Sequence, residues 1–139
     1  SQTDAKAAFL DISRLMPKNR EYFTKVAGSE VWNASYKGKN LSSVIVTIAG
    51  VKEGDSALVV FQATLGERES IPLSRNLVVK LLEMNREFDF AKVVLYDTAL
   101  AMRIDQYMAG LDATVVEKIC DQLANSADTA YGEIKNYLP

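Results

Sequence analysis

The chain has 139 residues, of which 48% are hydrophobic and 24% charged, with a formal net charge of -2, so it is long enough to bury the core of one domain unaided. It contains no His and a single Cys, which excludes the commonest general base, the Ser-His-Asp triad, most zinc sites and an internal disulfide. The excess positive charge typical of nucleic-acid binding is missing, and no apolar run reaches the ~20 residues of a membrane span.

Apolar residues near the N-terminus recur at three- and four-residue spacing, which is typical of one face of an α-helix. The spacing predicts a helix over residues 4–16, which Pro17 interrupts because proline lacks an N–H and restricts the residue before it. A second helical stretch is expected over residues 18–27, ending at Gly28. The apolar face of the first stretch comprises Ala5, Ala8, Phe9, Ile12, Leu15 and Met16.

Three strand-like runs follow, over residues 31–36, 43–49 and 57–65, and turn-forming residues separate them. These connections are too short for a parallel crossover, which needs a dozen or more residues. The three runs therefore predict a β-meander of antiparallel neighbours.

The second and third runs are apolar on both alternating faces. Val44 and Val46 share one face of the second run while Ile45 lies on the other, and Val59 and Val60 divide in the same way in the third. An antiparallel strand with one wet face normally alternates apolar and polar residues. We therefore expect the second face of the sheet to be covered, at least in part.

Ser74 is a suitable N-cap for a helix over residues 75–87. Residues 90–97 and 100–107 then alternate like the two strands of a hairpin. The helical stripe expected to face the core comprises Leu77, Val78, Leu81, Leu82 and Asn85.

The last helix is predicted to begin at Asp112, with Leu111 and Val116 at the two positions of a hydrophobic staple. We predict one α+β domain, in which helices pack on an antiparallel sheet of about five strands. Residues 1–28 are expected to form an N-terminal helical segment and residues 29–139 the α+β core. The stripe of the last helix comprises Val116, Ile119, Cys120, Leu123, Ala127, Ala130, Tyr131, Ile134 and Leu138.

A set of residues from the middle helix onward matches a known pattern. It comprises Leu81-Leu82-Glu83-Met84-Asn85, Phe90-Ala91-Lys92-Val93, Asp97, Arg103, Leu111, Ala127-Asp128 and Tyr131. In these positions the chain, over residues 29–139, resembles the YbjN family, whose fold is that of class I type III secretion chaperones. The stretch through Met16 departs from that pattern.

The resemblance implies a bacterial protein with an antiparallel sheet backed by helices, frequently a homodimer. It also implies action by binding another polypeptide or in a regulatory role, with no defined enzymatic activity. Because the sequence begins at Ser1, both a mature exported protein and a chain trimmed at its N-terminus are consistent with it. We favour the bacterial cytoplasm and keep an exported protein as the alternative.

The candidate chemical groups each have a simpler structural interpretation. Cys120 lies on the apolar stripe of the last helix and no His is present to activate it, so we interpret it as a buried thiol. Asp121, Asn125 and Asp128 share one helical face, but hard cations need more oxygen ligands converging from a loop, which favours a solvated face. We therefore predict no catalytic residue, metal or cofactor.

Two basic residues fall on adjacent predicted strands. Lys92 and Arg103 could present positive charge to an acidic partner, and pairing with Asp97 or Asp105 is the simpler account. Exposed aromatic residues on the first strand, an edge candidate by order, would also suit a protein-binding surface, with core packing as the alternative. The predicted partner-binding residues are Trp32, Tyr36, Ile45, Arg103 and Tyr107.

The function we predict is a non-enzymatic protein-binding or regulatory domain that docks a partner polypeptide or a second copy on its sheet. The observation behind it is the apolar character of both faces of the strands. The alternative is a small-ligand receptor or an enzyme with a pocket between the sheet and the N-terminal helices. That alternative needs convergent polar groups in a concavity, of which the sequence supplies no obvious set.

Overall fold

The computed structural model describes residues 8–138. The strands are β1 (Phe23–Lys25), β2 (Trp32–Tyr36), β3 (Val44–Glu53), β4 (Ser56–Glu67), β5 (Lys92–Leu95) and β6 (Ala99–Tyr107). The α-helices are α1 (Arg75–Glu87), between β4 and β5, and α2 (Ala113–Ile134), after β6. Short 3-10 turns lie at Ser13–Leu15, Arg68–Ser70 and Lys135–Tyr137. The predicted α+β class is confirmed.

The six strands form one antiparallel sheet in the order β1-β2-β3-β4-β6-β5. β2, β3 and β4 make the predicted meander, and β5 and β6 make the predicted hairpin, which joins the sheet through β6. The expectation of about five strands was one short, because β1 pairs with β2 at the other edge. β2 is therefore an interior strand and not the predicted edge.

The described part of the N-terminal segment is not an α-helix, so that prediction was wrong; residues 4–7 lie outside the described range. Leu10 forms an isolated antiparallel bridge to β3, and its N–H donates to the Gly50 carbonyl at 2.9 Å. A Cβ at Gly50 would lie 2.7 Å from Cγ2 of Ile12, so glycine lets this segment pack closely on β3. Of the predicted apolar face, Ile12, Leu15 and Met16 are buried, Phe9 is 40% exposed, and Ala5 lies outside the described residues.

A hairpin replaces the second predicted helix, over residues 18–27. Asn19 has a φ of +61°, which a right-handed helix cannot include. Phe23 then pairs with Ala34 of β2 and is 7% exposed, while Gly28, at a φ of +74°, lies in the connecting turn. Pairing with β2 buries Phe23 in the core of the whole domain, a contact that helical spacing in the sequence does not reveal.

Both predicted helix caps are present. The Ser74 Oγ accepts a hydrogen bond from the Leu77 N–H at 3.2 Å, and the Asp112 Oδ1 accepts one from the Val115 N–H at 2.9 Å. Each cap satisfies an N–H that has no partner within its own helix. Neither helix among residues 8–138 offers an apolar stretch long enough to span a membrane.

α1 begins and ends as predicted, and Leu77 and Leu81 of its predicted stripe are buried, but the buried face is narrower than that stripe. Val78 and Leu82, expected to face inward, are 41% and 66% exposed. Asn85 lies beside β5, where its Oδ1 accepts from the Val93 N–H at 2.5 Å and its Nδ2 donates to the Val93 carbonyl at 3.2 Å. The Asn85 amide thereby caps backbone groups at the free edge of β5. The buried residues of α1 are Leu77, Leu81 and Met84.

α2 packs across β3, β4 and β6, and its predicted stripe is confirmed. From the helix, buried residues include Val116, Cys120, Leu123, Ala127, Ala130 and Ile134. From the sheet, buried residues that alternate toward the helix include Val46, Ile48, Phe61, Ala63, Met102 and Ile104. This side of the sheet is called the covered face below.

Candidate functional site

The opposite side of the sheet, here called the open face, has no helix packed on it among residues 8–138. Val46, Ile48 and Phe61 point to the covered face and are 0% exposed. On the open face Ile45 is 48% exposed, and Tyr107 is 66% exposed. No helix of the described chain supplies the cover expected for the second face, so this apolar surface meets solvent unless another molecule binds it.

One cross-strand row of the open face is polar in every strand. Directly paired residues of antiparallel strands lie on the same face, and the registers connect the six strands without interruption. Thr47 donates a hydrogen bond from its Oγ1 to the Asn33 Oδ1 at 3.3 Å within this row. The polar row consists of Thr24, Asn33, Thr47, Gln62, Arg103 and Lys92.

Apolar residues flank the polar row on both sides along the strands. On one side lie two paired rows across β3, β4 and β6, namely Ala49, Val60 and Asp105, then Val51, Leu58 and Tyr107. On the other side lie Ser35, Ile45, Thr64, Ala101 and Val94, of which Ala101 is buried. The open face is thus a polar track between two mainly apolar borders.

A groove of about 360 Å³ lies at the β5 end of the polar row, lined by Phe90, Lys92, Val94, Arg103 and Asp105. Arg103 donates from Nε to the Asp105 Oδ1 at 2.7 Å and from Nη1 to the Tyr96 hydroxyl at 3.0 Å. The hydrogen bond to Asp105 is the main reason that the pKa of Arg103 is raised. The Phe90 side chain, 62% exposed, forms one wall of this groove.

Lys92 does not pair with a carboxylate as the sequence suggested. Its Nζ donates to the carbonyls of Asn85 and Phe88, both at 3.1 Å. These carbonyls belong to the C-terminal end of α1, where a cation is favourable. The predicted pairing of Arg103 with Asp105 is present. The β5 end of the row carries one net positive charge, because Lys92 and Arg103 are positive and Asp105 is negative.

The five predicted partner-binding residues lie on both faces of the sheet. Ile45, Arg103 and Tyr107 lie on the open face, whereas Trp32 and Tyr36 lie on the covered face in register with Ile48 and Val44. Both aromatic residues are partly buried and pack against the core, which was the alternative interpretation of them. The sequence therefore grouped residues that the sheet separates.

Tyr36 and Tyr22 connect the β1–β2 hairpin to α2. The Tyr36 hydroxyl donates to the Asp121 Oδ1 at 3.0 Å, and burial raises the pKa of Tyr36. The Tyr22 hydroxyl donates to Glu117, which raises the pKa of Tyr22 to about 12. The hydrogen bonds from Tyr22 and Arg20 in turn lower the pKa of Glu117. Glu117 and Asp121 therefore hold the hairpin and are not free carboxylates.

The predicted solvated face of α2 is wrong for Asp128, which is 9% exposed. Its carboxylate accepts hydrogen bonds from the N–H groups of Lys39 and Asn40, each at 2.9 Å, and of Leu41 at 2.8 Å. These bonds, led by that from Leu41, lower the pKa of Asp128. Asp128 therefore fastens the β2–β3 loop to the helix.

A cleft of about 450 Å³ separates this loop from α2, and Tyr36, Asp121, Asn125 and Asp128 are among its lining residues. Its carboxylates bond to the protein itself, Asp121 to Tyr36 and Asp128 to the loop. Among residues 8–138, no three Cys, Asp or Glu side chains cluster as a metal site requires. Cys120 is buried behind the cleft, and desolvation raises the pKa of its thiol.

No family model and no curated protein matches the chain. The assignment of function therefore depends on the surface itself. Sequence patterns alone did not reveal the polar row, to which each strand contributes one residue. Pairing across the sheet could be read only once the register of all six strands was known.

Proposed function

We propose that the chain is a non-enzymatic protein-binding or regulatory domain that docks a partner polypeptide on its open face. The observation that carries the proposal is a sheet with helices on one side only, whose other side exposes Tyr107 beside Leu58 and Val60, with Ile45 exposed across the polar row. Exposed contiguous apolar surface in a folded protein is typical of an interaction site. Docking would remove this surface from water.

The dimensions of the open face suit such an interface. Six strands at ~4.8 Å spacing give a width of ~24 Å, and about eight residues of strand give a length of ~26 Å. The product is ~600 Å², which lies at the lower end of the ~600–1,000 Å² per partner of a standard-size specific interface. The open face is therefore large enough to bind a polypeptide without help from another surface.

The resemblance to the YbjN family and to class I type III secretion chaperones belongs to this proposal. The α+β class and the helices gathered on one side of an antiparallel sheet support it. The extra N-terminal helix, by which the stretch through Met16 was expected to depart from the family pattern, is absent within residues 8–138. The resemblance also implies a homodimer, and a second copy is the competing occupant of this face.

The enzyme or small-ligand alternative was predicted for a pocket between the sheet and N-terminal helices, and residues 8–138 contain no α-helix before β1. The cleft beside α2 is a second place where such a site could form. A catalytic carboxylate needs an unoccupied oxygen and a pKa suited to proton transfer. Asp128 uses its carboxylate to accept three N–H groups, and its pKa is lowered. The cleft therefore favours a structural role, and protein binding remains the function we propose.

A selection from a library of displayed random peptides tests the proposal. Tyr107→Ser removes an apolar side chain from the open face. Leu82→Ser is the matched control, because it removes an apolar side chain from the outer side of α1 and both residues are 66% exposed in the native chain. We expect selected peptides to bind the wild type and the Leu82→Ser variant equally. Binding to Tyr107→Ser should weaken by about tenfold, which is ~1.4 kcal/mol and typical of the loss of an aromatic contact at an interface.

Two results would overturn the proposal. The first is a selection that yields no specific peptide against the wild type. The second is a set of peptides whose binding does not distinguish Tyr107→Ser from the native chain. Light scattering on the free protein then shows whether a second copy competes for the same face, since a dimer would dissociate when peptide is added.

A further inference from the structure

The polar row runs perpendicular to the strands, so a ligand that follows it must cross the sheet. Its central members Asn33, Thr47 and Gln62 carry side-chain amides and a hydroxyl, which donate and accept hydrogen bonds. Gln62 makes no side-chain hydrogen bond with the described residues 8–138, and Asn33 bonds only to Thr47 among them. These groups have the capacity to bond an incoming polypeptide backbone.

The borders of the polar row match the side chains of an extended segment. Alternate side chains of such a segment point to opposite sides of its backbone. A backbone above the row would direct one set toward Val60 and Ala49 and the other toward Ile45 and Val94, which are apolar, while Asp105, Ser35 and Thr64 interrupt these two borders. A segment of about seven residues at ~3.3 Å each would span the ~24 Å width of the sheet.

The two ends of the polar row differ in charge. The β1 end is neutral, with Thr24 and Asn33, whereas the β5 end carries Arg103 and Lys92. Arg103 has five N–H donors, of which two bond to Asp105 and Tyr96. The remaining N–H groups can donate to a second carboxylate in the groove walled by Phe90.

We infer that the occupant is an extended polypeptide segment that crosses the strands along the polar row and places an Asp or Glu side chain at the Arg103 and Lys92 end. The inference rests on the proposed function and adds the direction of the segment and its chemistry. The segment runs across all six strands and does not extend the sheet at an edge. Its acidic residue fixes its orientation.

The polar row also argues against a second copy packed face to face on the sheet. Two sheets in a sandwich bury inner faces that are apolar. A face-to-face dimer would enclose two copies of Gln62 and Arg103, and buried polar groups without full partners are costly. A single extended segment instead brings one backbone N–H and one C=O per residue to the row. A bound segment therefore supplies hydrogen-bond partners to polar groups that a second sheet would bury without partners.

The test uses the tightest-binding peptide from the library selection, synthesised with acetylated and amidated ends and labelled for fluorescence anisotropy. Replacing its acidic side chains with amides should weaken binding about fivefold to the wild type. The same replacement should have less than about a twofold effect on the Lys92→Gln and Arg103→Gln variants, because the interacting charge is gone. Lys118→Gln, which removes an exposed charge from α2, is the matched control and should retain the fivefold effect.

Backbone amide spectra of the isotopically labelled protein report the direction of the segment. We expect peptide-induced shifts in residues of the polar row from β2 to β5. Shifts confined to β1 or to β5 would show edge addition and overturn the inference. A further control is a peptide whose acidic side chains are replaced by amides but whose terminal carboxylate is free. If it binds as tightly as the acidic peptide, the charge belongs to a chain terminus and the inference is overturned.

The two proposals fail separately in these experiments. Selected peptides that need Tyr107 but contain no acidic residue, or that tolerate its replacement by an amide, overturn the inference and leave the protein-binding function standing. Both proposals are overturned if no recovered peptide binds more weakly to Tyr107→Ser than to the wild type. Both proposals are supported if amide replacement in the peptide weakens binding fivefold to the wild type but not to Lys92→Gln. This comparison is sufficient even where Arg103→Gln is too unstable to measure.

Discussion

A neighbouring pair of valines on β4 tests whether the sheet is covered on one face only. Val59 points to the covered face and is 0% exposed, whereas Val60 is partly exposed on the open face opposite Ala49 and Asp105. Truncating each to alanine removes the same two methyl groups from adjacent positions of one strand. The two variants therefore differ only in what surrounds the lost atoms.

The environment of each valine sets the expected loss of stability. For Val59→Ala, two buried methyl groups at ~0.8 kcal/mol each give ~1.6 kcal/mol of lost transfer free energy. A cavity of ~50 Å³ adds up to ~1.2 kcal/mol, so we expect a decrease of about 2–3 kcal/mol in the free energy of unfolding. For Val60→Ala the site is already in contact with water and leaves no closed cavity. We expect a decrease below about 1 kcal/mol there.

Urea denaturation followed by far-ultraviolet circular dichroism measures both values. The slope of the free energy with urea should be the same for the wild type and both variants, so that the midpoints compare directly. Equal losses for Val59→Ala and Val60→Ala would refute the one-sided sheet, because they would mean that something also covers the open face. The docking proposals would lose their basis with that result.

Three further outcomes follow from the contacts described above. Asp128→Asn should lower the urea midpoint at pH 7, and the difference from the wild type should shrink as the pH falls below ~3.9. A carboxylate whose pKa is lowered in the fold stabilises it above the unfolded pKa, and this stabilisation is lost as the pH falls through the folded pKa. Cys120 should react with a disulfide reagent only after unfolding, since burial raises its pKa, and stoichiometric labelling of the native protein would contradict this. Asn85→Leu should uncover the Val93 backbone and increase self-association in light scattering, and an unchanged mass would reject the edge cap.

Elements whose signals are local in the sequence were predicted well. Ser74 and Asp112 each precede an apolar helical repeat, and both cap the helix that follows. β2, β3 and β4 were expected as a meander because turns separate three apolar runs. A cap and a turn depend on residues within a few positions of one another, so a single sequence contains the information needed to place them.

The N-terminal segment was predicted wrongly because apolar spacing alone does not distinguish a helix from a segment that packs on the sheet. Ile12 and Phe23 have helical spacing to their neighbours, yet one packs against Gly50 of β3 and the other pairs with Ala34 of β2. The partners of both residues are distant in sequence. Burial against the common core outweighs a weak local helical preference.

The sequence by itself determines the α+β class, the two helix caps and the buried stripe of α2, because each arises from the periodicity or capping chemistry of neighbouring residues. The tertiary structure alone decided that Ile45, Arg103 and Tyr107 share a surface while Trp32 and Tyr36 lie behind it. It also decided that Thr24, Gln62 and Lys92 lie in one row. The register between strands joins residues far apart in the chain, and a shift of one residue would turn each side chain to the other face.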